Sequence, residues 1–180
     1  DNGQAKIQNH FFLSFGTILL LTFILFSALF SVPNINATVQ EPILRGAHRG
    51  SSVLFVENTL EAFRNAAQDE RYQFIEFDIQ YTKDRKIVVF HDGTLLRFQK
   101  QLFKVSNLTY DELTALSRYS VPLYEEVMDA IGNNKKLNIE IKSRGDMEED
   151  KQLVDYVVRD VQQRGMEANV LFSSISKDVI

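Results

Sequence analysis

Along several short stretches of this chain, apolar and polar residues alternate with a period of two, and the polar positions carry charge. In Phe74-Ile75-Glu76-Phe77-Asp78-Ile79-Gln80, strand geometry puts Glu76 and Asp78 on one face and Ile75, Phe77 and Ile79 on the other. Leu137-Asn138-Ile139-Glu140-Ile141-Lys142 repeats the arrangement, with Glu140 and Lys142 sharing a face. Two further apolar runs end in titratable groups. Ile43 to His48 leads into Arg49-Gly50, and Ile87-Val88-Val89-Phe90 leads into His91-Asp92. Val170 to Ser173 reads as another strand. Between these runs the spacing turns helical. Asn58-Thr59-Leu60-Glu61 has the pattern of a capping box, and Leu60, Phe63, Ala66 and Ala67 then recur along one side. Thr109 to Leu113 reads as a short helix start, and Pro122 to Ile131 as a longer helix with proline in its first turn. Met147 to Arg164 is amphipathic, with Leu153, Tyr156, Val157 and Val161 along its apolar side.

Strands alternating with helices predict parallel βα units. In a doubly wound sheet the central strands are apolar on both faces, whereas these are half polar. A (β/α)8 TIM barrel fits better: outward residues pack on helices, and inward residues near the C-terminal strand ends carry chemistry. A full barrel takes about 250 residues, so 43–180 is expected to form roughly its first half. Asp occupies position 1, and Ser176 to Ile180 reads as the opening of another helix, so the sequence is expected to be cut at both ends.

A different pattern precedes the domain. From Phe11 to Val32 no residue is charged. As a helix this run would reach about 33 Å, enough to span a bilayer and longer than the core of a signal peptide. Lys6 offers a weak positive flank, and Ile35-Asn36-Ala37 offers a small residue where cleavage could occur. The run is therefore read as a transmembrane anchor or a signal, after a flank at 1–10 and before a Pro- and Asn-containing linker at 33–42. Either reading exports the domain at 43–180, anchored outside the cytoplasm or secreted into the periplasm or medium. Net charge of −4, with no basic stretch interleaved with aromatics, argues against a nucleic-acid partner. The absence of Cys removes disulfides, zinc-thiolate sites and thiol nucleophiles together.

Each charged pair has a plain reading beside the functional one. Glu76 with Asp78 also suits an edge strand with one solvated face, and Glu140 with Lys142 an exposed ion pair. His48-Arg49-Gly50 is more specific, because it sets a titratable base and an anion binder at a turn. Taken together, three carboxylates, two histidines and two basic residues suit a hard-metal site that handles an anionic substrate.

The order and spacing of these residues resemble the glycerophosphodiester phosphodiesterases. Their pattern runs His-Arg-Gly, Pro-Glu-Asn-Thr, Glu-x-Asp-x-x-x-Thr-Lys-Asp-Gly, His-Asp, Pro-Thr-Leu-Glu-Glu-Val, then an apolar-Glu-Ile-Lys strand. This chain has His48-Arg49-Gly50, Glu57-Asn58-Thr59, Glu76-x-Asp78 leading to Thr82-Lys83-Asp84, His91-Asp92, Pro122-Leu123-Tyr124-Glu125-Glu126-Val127 and Ile139-Glu140-Ile141-Lys142. It departs at Val56, Arg85 and Leu123-Tyr124, positions that shape turns and packing. The resemblance implies that Glu76, Asp78 and Glu140 bind one divalent cation, Mg²⁺ or Ca²⁺. It assigns phosphate binding to Arg49 and Lys142, and general base and general acid to His48 and His91 in either order. The implied substrate is a small glycerophosphodiester such as glycerophosphocholine or glycerophosphoethanolamine, cleaved to glycerol 3-phosphate and an alcohol. The alternatives are a membrane-anchored lysophospholipase D and a non-catalytic tethered barrel used as a binding module.

Overall fold

A computed structural model describes residues 43–177 and 179 of the 180-residue chain. The run at 11–32, with its flank 1–10 and the linker 33–42, lies outside the described residues. Among the described residues no helix is long and apolar enough to cross a membrane.

The elements follow in the order β1 (Gly46–His48), α1 (Leu60–Gln68), β2 (Phe74–Tyr81), β3 (Ile87–Val89), α2 (Leu96–Gln99), α3 (Tyr110–Leu116), α4 (Tyr124–Ile131), β4 (Lys136–Ile141), α5 (Met147–Gln163) and β5 (Val170–Ser173). Strands β1, β2, β4 and β5 lie side by side and parallel in that order. One face of the sheet is sealed by helices. Ile75, Phe77, Ile79, Ile139 and Ile141 are fully buried against Phe63 and Ala66 of α1, Val127, Met128 and Ile131 of α4, and Leu153 and Val157 of α5. Burying each large apolar side chain contributes about 1.5–3 kcal/mol. The other face carries Glu76, Asp78, Gln80, Asn138 and Glu140, as strand alternation requires. This is the TIM-barrel-like α/β architecture read from the sequence.

Several expectations shift in detail. β1 starts at Gly46 rather than Ile43, because Ile43 is 92% exposed and packs on nothing among the described residues. At Gly46 the Phe74 ring reaches within 2.2 Å of where a Cβ would sit, so a larger residue there displaces that ring. β3 runs antiparallel to β2, against the all-parallel expectation. The turn at Thr82–Lys86 is too short for a crossover and closes a hairpin instead. Within it Arg85 takes φ 65°, a conformation that the glycine of the family pattern adopts without strain.

The N-cap of α1 is Thr59, not Asn58: its Oγ1 accepts from the Ala62 amide at 3.3 Å. On α5, Tyr156 leaves the buried stripe. It is 39% exposed, and its hydroxyl donates to Glu125 Oε1 at 2.7 Å. A second apolar cluster of Val88, Phe90, Leu95, Val105, Leu108, Leu113 and Val121 supports the segment after β3.

Candidate functional site

The polar face of β2 is buried, so the solvated-edge reading of its carboxylates fails. β2 sits between β1 and β4, Asp78 is 0% exposed and Glu76 7%. Parallel pairing sets Asp78 level with Glu140 and His48 level with Glu76. One oxygen from each of Glu76, Asp78 and Glu140 lies within 4.8 Å of the others. Burial first, then the neighbouring Asp78, pushes the Glu76 carboxyl up to about 7; Glu140 adds to the rise, and the Arg49 amide and guanidinium oppose it. Lys142 Nζ sits 2.5 Å from Glu140 Oε1 and 3.0 Å from Asp78 Oδ1. Burial works against its charge, but those two carboxylates outweigh burial and raise its pKa.

The turn after β1 supplies the next layer. Arg49 (φ 59°) and Gly50 (φ 77°) bend the chain tightly against α1, where a Cβ on Gly50 would meet the Ala62 backbone at 2.8 Å. The Arg49 amide donates to Glu76 Oε2 at 3.0 Å. Its guanidinium donates through Nη1 to Glu57 Oε1 at 2.8 Å, with Nε 3.5 Å from Asp78 Oδ2. His48 is 67% exposed along its side chain, with Nε2 3.6 Å from Glu76 Oε2. Asn58, buried and at φ 56°, donates from Nδ2 to Asp78 Oδ2 at 3.0 Å. Sequence reasoning placed Asn58 in a cap; its signal was the fixed Glu57-Asn58-Thr59 element downstream of His48.

His91 follows β3. The Phe90 amide donates to the Asp78 carbonyl at 3.0 Å, which ties this segment to β2. His91 Nδ1 is 2.7 Å from Asp92 Oδ1, and Arg97 Nε donates to Asp92 Oδ2 at 2.6 Å. Arg97 also grips both oxygens of Glu57. Burial opposes ionisation of Glu57 and Asp92, yet hydrogen bonds from Arg97, with Arg49 on Glu57 and His91 on Asp92, hold both pKa values below the ordinary range. Gln80 Nε2 donates to the carbonyls of Phe90 (2.6 Å) and Asp92 (3.0 Å), pinning the backbone on either side of His91. Gln80 and Arg97 were not singled out from sequence, because Gln80 reaches carbonyls 10 and 12 residues on and Arg97 meets Glu57 across 40 residues.

All seven anticipated residues therefore lie at the C-terminal ends of β1 and β4, on the part of β2 paired with them, and just beyond β3. The two histidines stand apart within the cluster, His48 beside Glu76 and His91 beside Asp92. The donor set of Glu76, Asp78 and Glu140 is oxygen alone, fixed on two rigid strands, and it could hold one hard divalent cation. Asp78 fits that use: it is fully buried, and its Oδ1 has the Lys142 ammonium 3.0 Å away but not in hydrogen-bond alignment.

Comparison with known proteins agrees with this geometry. The glycerophosphodiester phosphodiesterase of Bacillus subtilis is 32% identical over 126 residues, covering 60% of this chain and 43% of the relative. The human lysophospholipase D GDPD3 is 36% identical over 100 residues, covering 54% of this chain and 29% of the relative. A phosphodiesterase of Oleispira antarctica, solved with the product sn-glycerol-3-phosphate, superimposes with a TM-score of 0.64 at 26% identity, covering 76% of this chain and 59% of that one. The chain thus spans less than two thirds of each. The profile of the glycerophosphoryl diester phosphodiesterase family matches residues 48–180, and the chain belongs to that family.

Proposed function

We propose that the domain hydrolyses glycerophosphodiesters, such as glycerophosphocholine or glycerophosphoethanolamine, to glycerol 3-phosphate and an alcohol. We also propose that 43–180 represents about half of the complete barrel. The observation that carries the reading is the trio Glu76, Asp78 and Glu140, gathered within 4.8 Å and flanked by Arg49 and Lys142. Glu76, Asp78 and Glu140 hold one divalent cation, Mg²⁺ or Ca²⁺. When bound, the cation neutralises charge that grows on the phosphate oxygens and acidifies a hydroxyl.

The chain's own residues do the rest. A phosphodiester anion repels an incoming nucleophile, so Arg49 holds a phosphate oxygen through its planar fork and Lys142 adds a point charge. One imidazole takes the proton from the attacking hydroxyl, and the other gives a proton to the alcohol oxygen as its bond to phosphorus breaks. Asp92 faces Nδ1 of His91, which leaves Nε2 for the reacting atoms. Arg97 fixes Asp92 in turn. The uncharged run at 11–32 supports placing this activity outside the cytoplasm, tethered or released.

The test is release of glycerol 3-phosphate from glycerophosphocholine by the full-length enzyme and by His48→Ala and Glu76→Ala. Both variants should fold and be inactive, and retained turnover in both refutes the assigned roles.

A further inference from the structure

Beside the carboxylate trio opens a cavity of about 470 Å³ whose wall is basic. His91, Lys104, Ser106, Lys142 and Arg144 all line it, and Lys142 links it to Asp78 and Glu140. Its one carboxylate, Asp92, is occupied by His91 and Arg97. Lys142 shares its charge with Asp78 and Glu140. Lys104 and Arg144 differ from it: among the described residues neither forms an ion pair. Arg144 is half-buried, donates from Nη2 only to the neutral Gln80 Oε1 at 3.2 Å, and buries Nε with no acceptor. The acids that follow it are engaged elsewhere. Glu149 pairs with Arg85 at 2.7 Å, while Asp150 accepts from the Ser143 hydroxyl and the Arg144 amide. A guanidinium drawn partly out of water without a carboxylate is costly unless an anion completes it.

We infer that this cavity is a subsite for a negatively charged group on the alcohol portion of the diester, a carboxylate or a second phosphate held by Arg144 and Lys104. The inference rests on the phosphodiesterase reading and narrows its substrate class. Glycerol is neutral, so negative charge beyond the bridging phosphate comes from the other alcohol. The same cations repel the ammonium of choline, so the cavity discriminates by charge.

Two substrate pairs test this with the full chain. Glycerophosphoserine and glycerophosphoethanolamine differ by one carboxylate. Glycerophosphoglycerol with and without a terminal phosphate differ by one phosphate. The expected result is a kcat/KM preference for the more anionic member of at least one pair of about tenfold, the size of one charge-assisted hydrogen bond. The pair that shows it identifies the anion. Arg144→Gln and Lys104→Gln should each shrink that ratio several-fold; Lys104 is exposed, so its variant carries the test should Arg144→Gln misfold. Equal turnover within both pairs, or a preference untouched by both substitutions, overturns the inference. Turnover of no diester at all defeats the hydrolase reading alone. Calorimetry with O-phosphoserine against phosphoethanolamine, and with glycerol 1,3-bisphosphate against glycerol 3-phosphate, then decides the subsite: tighter binding of the more anionic member of either pair, lost in Lys104→Gln, sustains it, and equal binding within both pairs ends it.

Discussion

Asn58 and Asp78 meet across 20 residues of sequence, the amide Nδ2 of one donating to the carboxylate Oδ2 of the other at 3.0 Å in a site closed to water. The backbone at Asn58 has φ 56°, and its own amide donates to the Arg49 carbonyl at 3.0 Å. One residue therefore fixes both the turn after β1 and the orientation of a candidate ligand. Asn58→Gly tolerates that φ and deletes only the side chain, whereas Asn58→Ala adds backbone strain. Asn58→Gly should lower activity about 10–100-fold, the usual cost of losing a hydrogen bond that orients a metal ligand. Full activity in the glycine variant would show that the contact is idle.

Cation binding should be visible without any turnover. Ca²⁺ or Mg²⁺ at 100 times its Kd should stabilise the protein by about 2.7 kcal/mol, a rise in Tm of several degrees. Asp78→Asn and Glu140→Gln should abolish the rise, which differential scanning fluorimetry reads directly. A rise that persists in both variants places the ion elsewhere.

Removing His91 should reduce kcat by about 10²–10⁴-fold, the range for a general acid or base, with the far-UV circular dichroism unchanged. Asp92→Asn should lower kcat by a smaller factor and leave KM unchanged, because Asp92 orients the imidazole without touching substrate. Full kcat in Asp92→Asn would remove that role.

The Glu57–Arg97–Asp92 cluster predicts a specific acid response. Both carboxylates have pKa values lowered in the folded state, so their contribution is fully present above the unfolded value of about 4.5 for Glu and is lost as pH falls through the lower folded values. Arg97→Ala should cost about 1 kcal/mol near pH 7, since Arg97 is partly exposed and screened. Urea denaturation should show the gap between wild type and variant closing below about pH 4 and narrowing with salt. A gap constant with pH would mean that the loss is one of packing.

Phe77 lies between Glu76 and Asp78, fully buried, with its ring edge-on to Phe63 at a centroid distance of 5.6 Å. Phe77→Ala should cost about 3–5 kcal/mol, and a loss below 1 kcal/mol would show that β2 is not anchored there.

The carboxylate trio was legible because alternation with period two is local: Ile75, Phe77 and Ile79 announce which way Glu76 and Asp78 point. The second tier was not. Asn58, with Glu61 three residues on, fits the capping pattern better than Thr59, yet Thr59 is the cap because Asn58 is held by Asp78 and the Arg49 carbonyl. Arg97 and Glu57 stand 40 residues apart, and nothing in either local pattern pairs them. Tyr156 had the spacing of a core residue, but its hydroxyl found Glu125 at the surface. The hairpin of β3 shows in the length of the turn at Thr82–Lys86, which the strand–helix alternation along the rest of the chain masks.

The pairing of Asp78 with Glu140 ties the candidate site to arithmetic. Loops of any length may join α4 to β4, yet a slip of one residue would turn Glu140 into the helix layer and bring Ile139 or Ile141 in its place. An even slip would keep the correct parity while carrying the carboxylate out of step with its partner. The span between these strands is thus open to insertion and deletion, while the offset of their alignment tolerates no change.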